Sequence, residues 1–282
     1  MSGLRAECDV QLLCDVIGLA PSSYYYQPMP RGDLALRSAI ETIAAEFPRY
    51  GYRRMTAELQ RRDWAVNHKR VLRLMREENL LVAVKRYCRT TNSDHRYGRY
   101  PNLLRGLEIV RPDQAWCGDL TYIRLRQEFV YLAVLLDIFT RSIRGWALGC
   151  DLSANLTITA LERALAKRQP EIHHSDQGVQ YAASSYVERL QAAGVQISMA
   201  ARGRPTENAY AERVIRTLKE EEVELYDYRD LTEAHERIGR FLDDVYTHKR
   251  VHSALGYLPP AEFEANWRAE AARMTEAATA AR

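Results

Sequence analysis

Residues 114–149 read QAWCGDLTYIRLRQEFVYLAVLLDIFTRSIRGWALG. The segment WCGDLTYIRL (116–125) alternates as a strand does, with Trp116, Tyr122 and the β-branched Thr121 and Ile123. EFVYLAVLLDIFT (128–140) is nearly continuous in apolar residues, which suits a strand covered on both faces. SIRGWALG (142–149) reads as a third strand. The connections are short, so the three are expected to pair as an antiparallel meander. One residue breaks the apolar pattern of the first strand. Asp119 is a carboxylate that is costly to bury alone.

Toward the C-terminus the pattern alternates between helix and strand. Residues 155–168 (NLTITALERALAKR) form an amphipathic helix, EIHHS (171–175) a short strand, 183–193 a helix and VQISMA (195–200) another strand. A long helix starts near Thr206. A further helix spans 231–246, with Leu231, Ala234, Ile238, Phe241, Leu242 and Val245 on one face. Three antiparallel strands followed by alternating helix and strand predict an α/β domain over 113–268, built on a five-stranded mixed sheet. An Ala-rich tail, 269–282, follows.

Toward the N-terminus the chain turns basic and helical. Residues 85–112 are polar and basic with little periodicity, and read as a linker. Residues 31–84 contain FPRYGYRRMTAELQRR and VNHKRVLRLMREENL, two short helices joined by a turn, with Asn67 as N-cap of the second. Arg49, Tyr50, Arg53, Arg54, Lys69, Arg70, Arg73 and Arg76 decorate them. That pattern fits a helix-turn-helix-like DNA-binding module; a generic basic helical hairpin fits it equally. Residues 1–30 form a short helix ending near Gly18 and a Pro/Ser linker.

Charge separates the halves. Residues 1–105 hold 18 Lys+Arg against 11 Asp+Glu, and the remainder 22 against 26. A basic first third can bind a polyanion through counterion release, although a solvated basic face would look the same. No apolar run is long enough to span a membrane, and the N-terminus lacks the apolar core of a secretory signal. The cysteines (Cys8, Cys14, Cys88, Cys117, Cys150) are odd in number and form no CxxC pair. That pattern predicts free thiols in a cytoplasmic protein.

Three carboxylates stand out by position. Asp119 lies within the first strand, Asp176 just beyond the fourth (HHSDQGVQY), and Glu212 in the second turn of the long helix. Acids converging on divalent cations would relieve the cost of burial and create a site for Mg²⁺, which takes oxygen ligands. Two such ions can activate an attacking oxygen and stabilise a leaving one in phosphoryl transfer. Along the helix, Ala211, Val214, Ile215 and Leu218 form the apolar stripe, and Asn208, Glu212, Arg216 and Lys219 flank it. Arg202, Arg204, Arg216 and Lys219 would place positive charge along a passing phosphate backbone. Read from periodicity alone, Glu212 is equally a helix-surface acid.

The ordered motifs WCGDLTYI (116–123), YLAVLLDIFTRSIRGWAL (131–148), IHHSDQGVQY (172–181), SMAARGRPTENAYAERVIRTLKEE (198–221) and YTHKRVHSALGYLPPAEF (246–263) resemble a known family. It is the second-frame transposase of IS-three-type bacterial insertion sequences, and the likeness runs over roughly residues 35–265. The resemblance implies an RNase H-like core similar to the retroviral integrase catalytic domain. It places the family's acidic triad on Asp119, Asp176 and Glu212, with 35 residues between the last two. It further implies two Mg²⁺ or Mn²⁺ ions, cleavage that leaves a 3′-hydroxyl, and direct attack of that hydroxyl on another phosphodiester. The implied partners are double-stranded DNA (terminal inverted repeats and target), a first-frame protein or fused segment, and a second copy of the chain on DNA. An excised circular intermediate is also implied.

Several positions keep other readings. Glu207 stands where the family usually has Asp and is a rival acid, with 30 residues between it and Asp176. The segment Tyr246-Thr247 and Val251 also depart from the family's pattern. His173 and His174 read as residues that shape a strand end, because Mg²⁺ prefers oxygen. Asp137 reads as paired with Arg141 or with a backbone donor, and Trp116 and Trp146 as core. Ser175 has no base motif for a nucleophile. Lys249, Arg250 and His252 read as DNA contacts, with packing against the core as the alternative. A nuclease of the same fold that never joins strands, and a non-catalytic DNA-binding regulator, are the competing functions.

Overall fold

The computed structural model describes residues 10–18, 20–25, 33–81, 100–201 and 204–280. The chain divides into two compact units, 1–41 and 42–282. The first carries α1 (Val10–Ile17), α2 (Pro21–Tyr24) and most of α3 (Leu34–Glu46). α1 ends at Gly18, whose φ of 65° is the left-handed turn that favours glycine.

The second unit opens with α4 (Tyr52–Arg61) and α5 (His68–Glu77), the two basic helices foreseen from the sequence. The Asn67 side chain accepts from Lys69 N–H at 2.8 Å and caps α5. Met55 and Leu59 of α4 and Val71, Leu74 and Met75 of α5 are buried.

The sheet of this unit has the order β3-β2-β1-β4-β5. β1 (Ala115–Arg124), β2 (Phe129–Asp137) and β3 (Ile143–Gly149) form the antiparallel meander. β4 (Ile172–Ser175) and β5 (Gln196–Met199) continue it in parallel beyond β1. This is the five-stranded mixed sheet of an RNase H-like core. From Leu132 to Leu136 β2 is apolar and buried because both its faces are covered there. Val130, Leu132, Val134 and Leu136 pack toward α9 (Ala209–Glu221) and α10 (Leu231–Arg240). Ala133 and Leu135 pack toward α6 (Ala154–Leu165), α7 (Val179–Ala182) and α8 (Ser184–Ala192). At Gly145 of β3 an added Cβ would lie 2.3 Å from the Ala160 carbonyl oxygen, so α6 approaches at a distance only glycine permits.

Three expected boundaries are corrected. Residues 100–112 belong to the core, not to a linker: Leu103, Leu104 and Ile109 pack against it, and Leu103 N–H donates to Ser198 Oγ at 2.9 Å. The rest of that basic stretch, 85–99, lies outside the described residues. The 231–246 helix changes type midway. α10 starts on an Asp230 cap (2.9 Å to Glu233 N–H), and from Phe241 to Lys249 the chain winds as a π-helix. There Arg250 N–H reaches back five residues to the Val245 carbonyl. The described part of the Ala-rich tail, 269–280, belongs to α11 (Pro260–Ala280), as befits a run of strong helix formers. Among the described residues, no helix is long and apolar enough to cross a membrane.

Candidate active site

β1 and β4 lie side by side, with Ala115, Trp116 and Cys117 opposite Ile172, His173 and His174. Carried two residues further, that register sets position 119 level with position 176. Asp119, midway along β1, therefore lies level with Asp176, the residue that follows β4. The Asp176 carboxylate is held by Gly178 N–H, which donates to Oδ1 at 2.9 Å. An added Cβ at Gly178 would lie 2.9 Å from that same oxygen, so glycine leaves the carboxylate its place.

α9 supplies the third acid. Its leading end is fixed by Asn208, buried, whose Nδ2 donates to the Gly118 carbonyl at 3.1 Å, next to Asp119. Further along, Lys219 Nζ sits 4.7 Å from the centre of the Tyr122 ring on β1. The helix is thus laid along β1 between Gly118 and Tyr122. Glu212, one turn after Asn208 and two turns before Lys219, lies between those contacts, as Asp119 does on the strand.

Electrostatics report the same gathering. Desolvation pushes Asp119 up to about 8, and the neighbouring charges of Asp176 and Glu212 push in the same direction. The Leu120 N–H bond at 2.8 Å and the Lys219 charge oppose them. Burial lowers Lys219 in turn, with Asp119 and Glu224 working against it. Among the described residues, no three His, Cys, Asp or Glu side chains are already drawn into ligating geometry. The acids are neighbours across one sheet end, not a closed coordination shell.

The surroundings were only partly foreseen. Tyr181, fully buried, packs its ring within 3.3 Å of where a Gly118 Cβ would stand and 3.6 Å of a Gly178 Cβ. It is the floor beneath both aspartate-bearing segments, and its hydroxyl has no hydrogen-bond partner. The sequence offered one signal for it, its place at the end of DQGVQY. The Asn208 Oδ1 is likewise buried and unpartnered. Carboxylates and a buried, unpartnered amide oxygen are oxygen donors, and suit a hard divalent cation better than a soft one.

The histidines serve the scaffold. His174 Nδ1 lies 2.8 Å from Ser198 Oγ and its Nε2 3.1 Å from the Glu207 carbonyl, while His173 Nε2 meets Tyr186 Oη at 2.9 Å. Burial lowers both, His173 to about 3, so neither carries charge. Asp137 accepts from Asp113 N–H, Thr140 N–H and Thr140 Oγ. Its ion partner is Arg144 at 3.5 Å and not Arg141. Glu207, the rival acid, is committed elsewhere. It accepts from Ala201 N–H, Arg105 and Asn102, which hold it down to about 2.

The expected DNA contacts separate into two groups. Arg53, Lys69, Arg204, Arg216 and Lys249 are exposed, and Arg70 and Arg73 are half-buried. Arg73 pairs with Glu77, Arg204 with Glu207 and Lys249 with Asp244. Tyr50, Asn208 and Arg250 are buried and spend their polar groups inside the protein, which corrects their placement on a DNA-facing surface. Arg54 turns inward to Glu221, and His252, beside Arg250, is held neutral by burial and neighbouring arginines. Arg202 lies outside the described residues.

A five-stranded mixed sheet flanked by helices, preceded in the chain by a helix-turn-helix-like module, is the architecture of an integrase-type core, the polynucleotidyl transferase class. Residues 110–205 and 193–260 match integrase core domain families, and residues 31–87 an HTH-like domain family. The chain is 34% identical over 272 residues to the insertion element IS600 uncharacterized 31 kDa protein of Shigella sonnei, covering 92% of this chain and 100% of that protein. It is 32% identical to the transposase for insertion sequence element IS629 of the same organism, covering 93% of each. Among solved structures, the HTLV-2 integrase catalytic core domain in complex with magnesium (trimeric form) is similar at 17% identity. The TM-score is 0.46, with 55% of this chain and 98% of that chain covered. The chain belongs to the IS3 family of insertion-sequence transposases.

Proposed function

We propose that Asp119, Asp176 and Glu212 together hold two divalent cations, Mg²⁺ or Mn²⁺, and that this site cuts DNA at a transposon end and joins the freed 3′-hydroxyl to a new phosphodiester. The observation that carries the reading is placement: Asp119 on β1 lies level with Asp176 after β4, and α9, which carries Glu212, is laid along β1; burial and the charges of Asp176 and Glu212 raise Asp119 accordingly. The Lys219 charge opposes the rise at Asp119, and a cationic ligand would oppose it further.

The cations would supply activation of the attacking oxygen and stabilisation of the leaving one. The protein's own residues do the rest. Asp119 and Asp176, level on adjacent strands, fix one side of the site. Glu212 closes it from α9, held at its distance by the Asn208–Gly118 bond. Lys219 lies over the Tyr122 ring on the same helix face and offers its ammonium to a phosphate of the strand being cut. The Tyr181 floor keeps the two aspartate segments from collapsing inward. Because attack is direct, no protein–DNA covalent bond forms.

Duplex binding is assigned to the exposed Arg53 and Lys69 and the half-buried Arg70 of the α4–α5 pair, and to the exposed Arg204, Arg216 and Lys249. Joining two transposon ends requires at least two copies on DNA. The partner that recognises the terminal inverted repeats is a first-frame protein or a fused segment. The test is a cleavage and strand-transfer assay on labelled terminal-repeat DNA. Asp119→Asn, Asp176→Asn and Glu212→Gln are each expected to abolish both steps while duplex affinity persists. Full activity in any one of them removes that residue from the site. Cleavage with no joined product in the parent chain would make it a nuclease.

A further inference from the structure

We infer that Glu221 is a positioning residue: an Arg54–Glu221–Arg250 clamp ties the end of the acid-bearing helix to the DNA-binding module, so that the placement of Glu212 depends on α4. The inference rests on the reading of Glu212 as a site acid.

Glu221 is the last residue of α9. Its carboxylate receives a two-pronged bond from Arg250, Nε to Oε2 at 2.7 Å and Nη2 to Oε1 at 2.8 Å. Arg54 of α4 adds a third, Nη1 to Oε1 at 2.7 Å. The Arg250 and Glu221 side chains are 6% and 9% exposed. Burial alone would raise Glu221, but Arg250 and Arg54 outweigh it and hold the carboxyl below the ordinary range. A paired carboxylate of this kind is costly to lose, because two guanidinium charges would remain without their acid.

The clamp is reinforced on the module side. The Arg54 guanidinium lies 4.9 Å from the centre of the Tyr50 ring. Tyr50 Oη accepts from Val251 N–H at 3.0 Å, the residue next to Arg250. Arg54 Nη2 also donates to the Arg49 carbonyl, and Arg49 pairs with Glu224 at 3.6 Å, just past the helix. Four residues that look like a DNA-facing set in the sequence (Arg49, Tyr50, Arg54, Arg250) are thus an internal fastening.

From Glu221 back to Glu212 is nine residues, roughly 13–14 Å of helix. The intervening sequence RVIRTLKE has no glycine or proline to bend it. The far end is pinned to β1 by Asn208. Glu212 therefore rides on a stiff rod fastened at one end to the sheet and at the other to α4. Arg53, adjacent to Arg54, is exposed. A duplex held by the outer side of α4 bears on the helix whose inner side grips the rod.

The experiment uses the full chain and compares Arg54→Met with Arg54→Lys, and Glu212→Gln as control. Three quantities are measured: Mn²⁺ affinity by calorimetric titration, cleavage kcat, and affinity for a terminal-repeat duplex. Arg54→Met leaves the Arg250–Glu221 pair in place. It is expected to weaken Mn²⁺ binding about 10-fold and lower kcat about 10–100-fold, as loss of an outer support does. Duplex affinity should change by less than about 3-fold, within the effect of one lost surface charge. Arg54→Lys should recover part of both losses, and is read alone where the Met variant does not fold. Unchanged Mn²⁺ affinity in the folded Arg54 variants overturns the inference, as does a loss confined to duplex affinity, which would make Arg54 a DNA contact. If Glu212→Gln still cleaves, it is the acid-site reading that fails, and the clamp's role falls with it.

Discussion

Asp119 and Asp176 stand level on two adjacent parallel strands, the β1–β4 register that pairs Cys117 with His174 continuing to both. The fold alone brings these two acids together, 57 positions apart in the chain. β1 runs on to Arg124 while β4 stops at Ser175, so the chain leaving β4 carries Asp176 past the middle of β1, where Asp119 stands. Glu212 joins them by a different route, through a helix fastened to β1 by Asn208.

Metal-free protein should lose stability as pH rises. The folded-state pKa of Asp119 is raised to about 8 from 3.8, so the native state binds more protons than the unfolded chain between those values. Stability then falls with pH across that window. Asp119→Asn should remove this slope and raise Tm at pH 8 by a few degrees, since ~1 kcal/mol moves Tm by roughly 2–4 °C in a domain of this size. Mn²⁺ should stabilise the parent chain at pH 8 and have little effect on the variant. Calorimetric scans from pH 5 to 8, with and without Mn²⁺, provide the check; a flat profile in the parent chain would count against the desolvated acid cluster.

Glu207 and Glu212 should part company under amide substitution. Glu207→Gln loses charge-assisted bonds to Arg105 and to Ala201 N–H, and is expected to lower Tm while cleavage survives. Its contribution is present above the unfolded carboxyl's pKa and is lost as pH falls toward 2, the depressed-acid case. Glu212→Gln should do the reverse, abolishing cleavage with Tm nearly unchanged. Melting curves and single-turnover cleavage on both variants decide which is the third acid.

Gly178→Ala should act on Asp176 without reaching the DNA. The new methyl would stand 2.9 Å from Asp176 Oδ1, a distance that forces the carboxylate aside. A displacement of about 1 Å at a reacting centre costs on the order of 100-fold in rate. Cleavage kcat should fall by that order while the duplex Kd stays within about 2-fold, in line with the small effect of uncharged substitutions on phosphate contacts. Parent-like kcat would show that Asp176 tolerates the move.

Exposed and buried members of the basic set should behave differently. Arg53→Ala and Lys69→Ala should weaken duplex binding across all sequences and flatten the log–log salt dependence by ~1 each. Tyr50→Phe leaves Val251 N–H buried without its acceptor and should cost about 1–3 kcal/mol of stability instead. Fluorescence anisotropy at several salt concentrations, beside urea denaturation, separates the two outcomes.

How much was legible in the chain follows from the range of each interaction. The strands of the meander and the cap at Asn67 are local patterns, and both stand in the structure. Asp119 showed itself by breaking an apolar strand. Tyr50, Arg54 and Arg250 misled, because basic and aromatic residues next to turns resemble a surface. Glu221, the acid that takes up Arg54 and Arg250, is 167 residues from Arg54. Nothing local announces such a pairing. Residues 100–112 misled for a related reason: Leu103, Leu104 and Ile109 have no period, and only the packed sheet shows them to be core. Tyr181 gave little signal because its role is to touch two glycines, Gly118 and Gly178, whose significance depends on the fold.

The most direct measurement is anomalous diffraction from crystals of the chain soaked in Mn²⁺ with a terminal-repeat duplex. Manganese peaks ligated by Asp119 and Asp176, with Glu212 turned in from α9 to complete the shell, are the expected result. Manganese held elsewhere, or bound by the two aspartates while Glu212 points away from them, would contradict the three-acid site.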